Sequence, residues 1–212
     1  MARVYSSSPP ASPPPPPSTS EQRKVFTLWM KSLVLNGRGC TVYDSTGSIV
    51  YRVDNYDSSC SDNVYLMDLG GKIVLNILKK KLAFGKWEGY KWSGGKRQQD
   101  EDAGGAWFTV TRPCSSVLFQ RRSRRRPSSS TCVFRADAGR RAVRYTMTDD
   151  GGNLCRIVDE ATGDVVAEVK GKRTAGGVAL GDDVLALTVE PSVDHTLVMG
   201  MVLVYGIINH TM

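Results

Sequence analysis

Short runs of apolar residues recur along most of this chain. From Val25 onward, stretches rich in Val, Ile, Tyr, Phe and Trp are divided by Gly, Asp, Asn and Ser. They fall at 25–30, 40–43, 49–53, 64–67, 73–78, 87–92, 107–111, 117–120, 132–135, 144–147, 155–158, 165–170, 178–180 and 184–190. Successive side chains of a strand point to opposite faces. In "IVYRV" Ile49, Tyr51 and Val53 therefore share a face, as Val165, Ala167 and Val169 do in "VVAEVK". Many short strands so punctuated predict a β-barrel or β-sandwich, not strands alternating with helices. The turns agree: in "YDSTGSIVYRV" Asp44 can open a turn and Gly47 can take a positive φ. "IVDEATGDVVAEV" repeats the pattern with one extra residue, and "LGGKI" reads as a Gly-Gly hairpin turn. The repeat fits two related halves of one sheet system and convergent hairpin chemistry equally well. The polar stretches 93–105 and 120–131 carry no apolar periodicity and are expected to be long loops.

The closing segment is of another kind. Thr196 to Ile208 is thirteen residues without a charge. As a helix it would rise about 20 Å, short of the roughly 30 Å hydrocarbon core that a spanning helix must cross. Val202, Val204, Ile207 and Ile208 are β-branched, but an uninterrupted run this long exceeds the usual strand. Pro191, Ser192 and Asp194 supply helix-start signals. A helix apolar on every side must be buried on every side. The predicted fold is therefore mainly β, a closed antiparallel barrel of about 12 strands around a central hydrophobic C-terminal helix. Gly200 and Gly206 would let barrel side chains approach the helix backbone.

A chain of 212 residues is long enough for one sizeable domain. Residues 1–22 hold seven of the ten prolines and six serines. They cannot bury enough apolar surface to fold, so a disordered tail is expected, leaving 23–212 as the folded domain. A proline-recognising protein is one partner such a tail would suit. Net charge is +7, and Arg121, Arg122, Arg124, Arg125 and Arg126 supply five of the positives; without them +7 − 5 = +2. The basicity is local and does not by itself indicate a nucleic-acid-binding domain. Cys40, Cys60, Cys114, Cys132 and Cys155 are odd in number and lack CxxC spacing. That argues against a disulfide framework and a zinc site, and for a reducing compartment. With no signal-type apolar segment near Met1, the expected location is cytoplasmic, with membrane-peripheral or nuclear placement as alternatives.

Several long runs, in order, resemble a known family. "FTLWMKSLVLNGRGCTVYDSTGSIVYRVDNY", "VYLMDLGGKIVLNILKKKL", "WEGY", "VVAEVK", "GDDVLALTVEP" and "DHTLVMGMVLVYGII" look like the plant LURP-one-related (LOR) family over about 25–208. The resemblance implies a tubby-like barrel around a central C-terminal helix, related to tubby C-terminal domains and phospholipid scramblases. For some members it also implies a link to pathogen defence. The stretches 93–105 and 120–131 depart from the family's compact spacing.

Catalytic and metal chemistry find little support. Ser192, Asp194 and His195 are triad residue types, but they crowd into a helix start, whereas a triad is assembled in space. Helix capping is the better reading. "DDGGNLCRIVDE" puts Asp149, Asn153 and Glu160 at calcium-loop positions 1, 5 and 12, yet Gly151 and Leu154 stand where an acid or amide and then a glycine belong. Neither a P-loop nor a dinucleotide fingerprint is present. No catalytic residue, metal or cofactor is expected, and the protein is expected not to be an enzyme.

Two basic sets remain. One is the arginine run, which suits a solvated loop, a nuclear-import or nucleic-acid contact, or an anionic membrane surface. The other is Lys79, Lys80, Lys81, Lys170, Lys172 and Arg173, on or beside strands. Tubby-type domains bind phosphoinositides, so the resemblance implies a lipid site there; the plainer reading is decoration of hairpin ends. Trp87 and Tyr90 are expected to serve core or rim packing. The functional expectation is a non-enzymatic tubby-like binding or regulatory protein that contacts anionic membrane lipids or phosphoinositides. The alternatives are a nuclear or nucleic-acid-linked regulator using the arginine loop, and an interaction scaffold with a Pro-rich tail.

Overall fold

The computed structural model of the protein describes residues 22–30, 38–55, 62–81, 85–93, 96–97, 105–112, 129–134, 142–149 and 154–209. The tail up to 21, the run 117–120 and the arginine run lie outside the described residues.

The strands are β1 (Lys24–Trp29), β2 (Arg38–Tyr43), β3 (Ile49–Asn55), β4 (Asn63–Met67), β5 (Ile73–Lys79), β6 (Lys86–Ser93), β7 (Lys96–Arg97), β8 (Phe108–Thr111), β9 (Ser129–Phe134), β10 (Val143–Thr148), β11 (Cys155–Asp159), β12 (Val165–Gly171) and β13 (Val184–Val189). One helix follows, α1 (His195–Ile208). Neighbours run β5-β4-β3-β2-β1-β13-β12-β11-β10-β9-β8-β6, and β6 returns to β5, so twelve antiparallel strands close into a barrel. The two-residue β7 pairs with the end of β6, inside a stretch expected to be loop. Closure leaves no barrel edge to cap. The first and last strands seal each other, with β1 paired to β13 from Lys24↔Val189 to Trp29↔Val184.

Because every neighbour is antiparallel, β1, β3, β5, β8, β10 and β12 all run the same way. They start at the end where α1 enters, here called the base, and finish at the opposite end, the rim. His195 stacks on Phe26 near the start of β1, and Lys91 near the end of β6 lies 3.7 Å from Asp194, which fixes the base.

Three hairpins at the base share one construction. Gly47, Gly71 and Gly163 take φ of 84°, 78° and 77°, open to glycine at little cost. Each donates its N–H back to the carbonyl of Asp44, Asp68 or Asp159. The returning strand then skips one residue. Val42 faces Tyr51 but Tyr43 faces Ile49; Leu66 faces Leu75 but Met67 faces Ile73; Ile157 faces Ala167 but Val158 faces Val165. The extra residues are Val50, Val74 and Val166. Bulges bend strands and increase twist, which a closed barrel of short strands requires. The repeat read in the sequence is thus threefold, and its "IV" or "VV" pair is the bulge. The bulge also corrects one reading: Ile49 and Val165 sit beyond it, half-buried, and the simple alternation that put them on one face with Tyr51 and Val53, and with Ala167 and Val169, is interrupted there.

The barrel fits around its helix through small residues. Residues 197–206 of α1 are all buried. Phe108 of β8 is fully buried, and its ring lies over two glycines. A Cβ at Gly89, its register partner on β6, would stand 2.0 Å from Phe108 Cε1. A Cβ at Gly200 of α1 would stand 2.8 Å from Phe108 Cζ and from Leu75 Cδ2. The expected close approach at Gly200 is therefore the contact that seats the helix.

One apolar run was misplaced by periodicity. Residues 178–180 were expected to be a barrel strand. Instead they fold back on Lys172–Thr174 as a short ribbon beyond β12, joined by the bridge Arg173↔Ala179. Val178 is 67% exposed and Leu180 48%.

Candidate functional site

Strands β5 and β12 stand six places apart in either direction round the barrel. Lys79–Lys81 and Lys170–Arg173 therefore lie on opposite walls, and the structure does not bring them into one pocket. It does bring them to one end, because both strands finish at the rim. Among the described residues, the rim holds Arg38, Lys79, Lys80, Lys81, Lys86, Arg112, Arg156, Lys170, Lys172 and Arg173 with Asp54, Asp62, Glu88, Asp149, Glu168, Asp182 and Asp183, giving 10 − 7 = +3. At the base, again among the described residues, Arg23, Lys24, Arg52, Lys72, Lys91, Lys96, Arg97 and Arg144 stand with Asp44, Asp68, Asp159, Glu160, Asp164, Glu190 and Asp194, giving 8 − 7 = +1. The arginine run adds five positives to the segment joining Thr111 of β8 to Ser129 of β9, and both of those strand ends lie at the rim.

The lysines on the β5 side are partly neutralised. Lys79 continues the inward series of Leu75 and Ile77; its Nζ is 3.4 Å from Asp62 Oδ1 and 5.8 Å from the Trp87 ring. Lys80 Nζ is 2.8 Å from Glu88 Oε2, and Lys86 Nζ is 2.9 Å from Glu88 Oε1. Tyr90 donates to Glu88 Oε2 at 2.6 Å. Burial works to raise the Glu88 pKa, but the hydrogen bonds from Lys80, Tyr90 and Lys86 outweigh it and hold the carboxyl at about 2. Lys81 is exposed and makes no ion pair among the described residues. Trp87 is buried in the core, as expected.

On the β12 side, Lys170 pairs with Glu168 at 2.9 Å, and Arg156 of β11 approaches the same carboxylate at 3.6 Å. Lys172 reaches across β13 to donate to Thr27 Oγ1 on β1. Arg173 donates to the Gly177 carbonyl at 3.0 Å, bracing the ribbon.

Sequence reasoning missed Lys86, Glu88 and Arg156. The spacing in "KWEGY" puts Lys86, Glu88 and Tyr90 on one face of a strand, so that cluster carried a signal. Arg156 and Glu168 meet only through the β11–β12 register, which no local pattern states.

Asp194, His195 and Glu160 each have structural partners. Asp194 caps α1: its Oδ1 accepts from Thr196 N at 2.7 Å and Leu197 N at 3.4 Å. The His195 ring packs between Phe26 and Tyr51, with Nδ1 3.5 Å from Lys24 Nζ. Burial, with Lys24 second, lowers its pKa. Asp149 and Glu160 lie at opposite ends of β11, and Glu160 accepts from Thr146 Oγ1 at 2.6 Å. Asn153 lies outside the described residues. Among the described residues no group of acids, His and Cys gathers that could hold a metal ion, and no helix is long and apolar enough to cross a membrane. Cys40, Cys132 and Cys155 are free and buried, while Cys60 and Cys114 lie outside the described residues.

The LURP-one-related family model matches residues 24–206, from the first strand into the last turns of α1. The chain belongs to the LURP-one-related family. The Arabidopsis thaliana protein LURP-one-related 3 is 42% identical to it over 191 residues, covering 88% of this chain and 79% of the relative. LURP-one-related 11, also from Arabidopsis thaliana, is 39% identical over 193 residues, covering 89% and 79%. An X-ray structure of an Arabidopsis thaliana protein superposes with a TM-score of 0.56 at 15% identity, covering 89% of this chain and 93% of that one. At that identity it shows the fold alone. Across the LURP-one-related match lie all thirteen strands, both lysine-bearing strand ends and Gly200.

Proposed function

We propose that this LURP-one-related protein is a non-enzymatic binding module whose rim docks on an anionic membrane surface. What supports this is the placement of charge. Two basic strand ends on opposite walls and the two strand ends that flank the arginine run all meet one end of the barrel, while charge at the base is close to balanced. A flat surface can touch opposite walls of a barrel end at once, and a small ligand cannot. Each basic residue near an anionic leaflet contributes about 1 kcal/mol, so several acting together hold a domain there in a salt-dependent way.

Co-sedimentation of the full-length protein with vesicles tests this. Binding is expected to phosphatidylcholine vesicles containing phosphatidylserine or phosphoinositide, not to phosphatidylcholine alone, and to weaken as salt rises. Replacing Arg121, Arg122, Arg124, Arg125, Arg126 and Lys79–Lys81 with glutamine is expected to reduce it at least about tenfold. Equal binding by that variant, or indifference to lipid charge, overturns the proposal. Tighter binding to nucleic acid than to vesicles would move the arginine run to the nuclear reading.

A further inference from the structure

We propose that the ribbon at 172–180 is the part of the rim that enters the lipid interface, with Val178 and Leu180 as its inserted side chains. This rests on the rim reading above and adds an apolar anchor to it. The ribbon is an ordered element. Leu180 N donates to Lys172 O at 3.0 Å, Thr174 N to Val178 O at 2.8 Å and Gly177 N to Thr174 O at 2.9 Å. Thr174 Oγ1 also accepts from Val178 N at 3.2 Å. Gly177 closes the turn at φ 82°.

Two large apolar side chains stand on this braced tip in water. Residues two apart on a strand share a face, so Val178 and Leu180 project together, and the register sets Thr174 and Lys172 on the same face. Leu154, 42% exposed, adds a third apolar side chain at the rim; its N–H donates to Val169 O, beside Lys170. Exposed valine and leucine on a hydrogen-bonded ribbon contribute nothing to the barrel core. Their neighbours Lys170, Lys172 and Arg173 bring positive charge to the headgroup level of an anionic leaflet. An apolar protein groove would suit Val178 and Leu180 but would gain nothing from three flanking cations. The combination selects an anionic bilayer.

The test uses the full chain and vesicles of phosphatidylcholine with about 30% phosphatidylserine, near the charge of an anionic leaflet. V178S/L180S is expected to weaken partitioning about tenfold or more, with the salt dependence kept because no charge changes. In V178W the new indole is expected to shift its emission to the blue on adding these vesicles and to be quenched by brominated lipid. If the wild-type protein binds and V178S/L180S binds equally well, or the V178W indole stays in water, the ribbon assignment fails and the rim reading stands. If the wild-type protein ignores anionic vesicles altogether, both fail. If V178S/L180S loses a protein contact but keeps vesicle binding, the ribbon belongs to a protein interface and the inference is wrong.

Discussion

Glu88 is the residue where charge and fold are most tightly coupled. Its carboxylate receives Lys80, Lys86 and Tyr90 on the outer wall beside β5, where it is almost completely covered. The fall from 4.5 to about 2 caps its contribution at about 3 kcal/mol. Both lysine side chains are more than a third exposed, at 43% and 36%, so screening leaves about 1–2 kcal/mol. The sign is fixed by the depressed value. In the unfolded chain the carboxyl takes up its proton near its ordinary pKa, while in the folded protein it stays charged down to about 2. Its stabilisation is complete above the ordinary pKa and disappears as pH falls towards 2. E88Q should therefore lower the urea midpoint at neutral pH, and the gap to wild type should close near pH 2 to 3. A gap of the same size at both pH values would mean that packing, not charge, sets the effect.

Among elements, the contact of β6, β8 and α1 through Phe108 decides whether the helix can sit in the barrel. Gly89 is held between β5 and β8 by ladders on both sides, so its backbone cannot retreat from a new methyl. G89A is expected to destabilise by about 3 kcal/mol, the upper end for overpacking. F108L in the same chain should give some of that back, so the double variant is less damaged than the sum of the singles by about 1–2 kcal/mol. Strict additivity in urea titrations would show that the ring is not what the methyl meets. This contact also marks how far the sequence could be read. Gly200 in an apolar helix already announced a close approach, and the charge-free run 196–208 was long enough to demand a surrounding barrel. Gly89 in "WEGY" announced nothing, because its partner lies across a strand pair joined by a segment that periodicity left as loop. The bulges stayed hidden for a related reason. "IV" and "VV" pairs look like continuous alternation, and only the register shows one member being skipped. The run 178–180 was apolar enough for a strand, but after the Thr174–Gly177 turn it has Lys172–Thr174 to pair with and no barrel neighbour beyond. For the rim, the basic residues were legible and their arrangement was not, since it depends on β5 and β12 running in the same direction on opposite walls.

For the whole molecule, closure implies that the barrel opens as one unit or not at all. A twelve-strand ring around a helix has no outer strand to fray without exposing the core. Three thiols report on this from different places. Cys40 is on β2, Cys132 on β9 and Cys155 on β11, all facing inward. Burial pushes Cys40 and Cys155 up to about 12 and Cys132 higher still, so none supplies thiolate while the protein is folded. Each can react only when its wall opens. Labelling the native protein with an alkylating reagent, followed by peptide mass mapping, should give these three cysteines the same opening free energy, equal to that of global unfolding in urea. The seam between β1 and β13 is the natural place for a first break, because it joins the two ends of the barrel sequence, and Cys40 is one strand from it. Faster labelling at Cys40 than at Cys132 would show that seam opening ahead of the far wall. In that case α1 could leave the barrel by a partial route, and the single cooperative unit inferred from the topology would have to be given up.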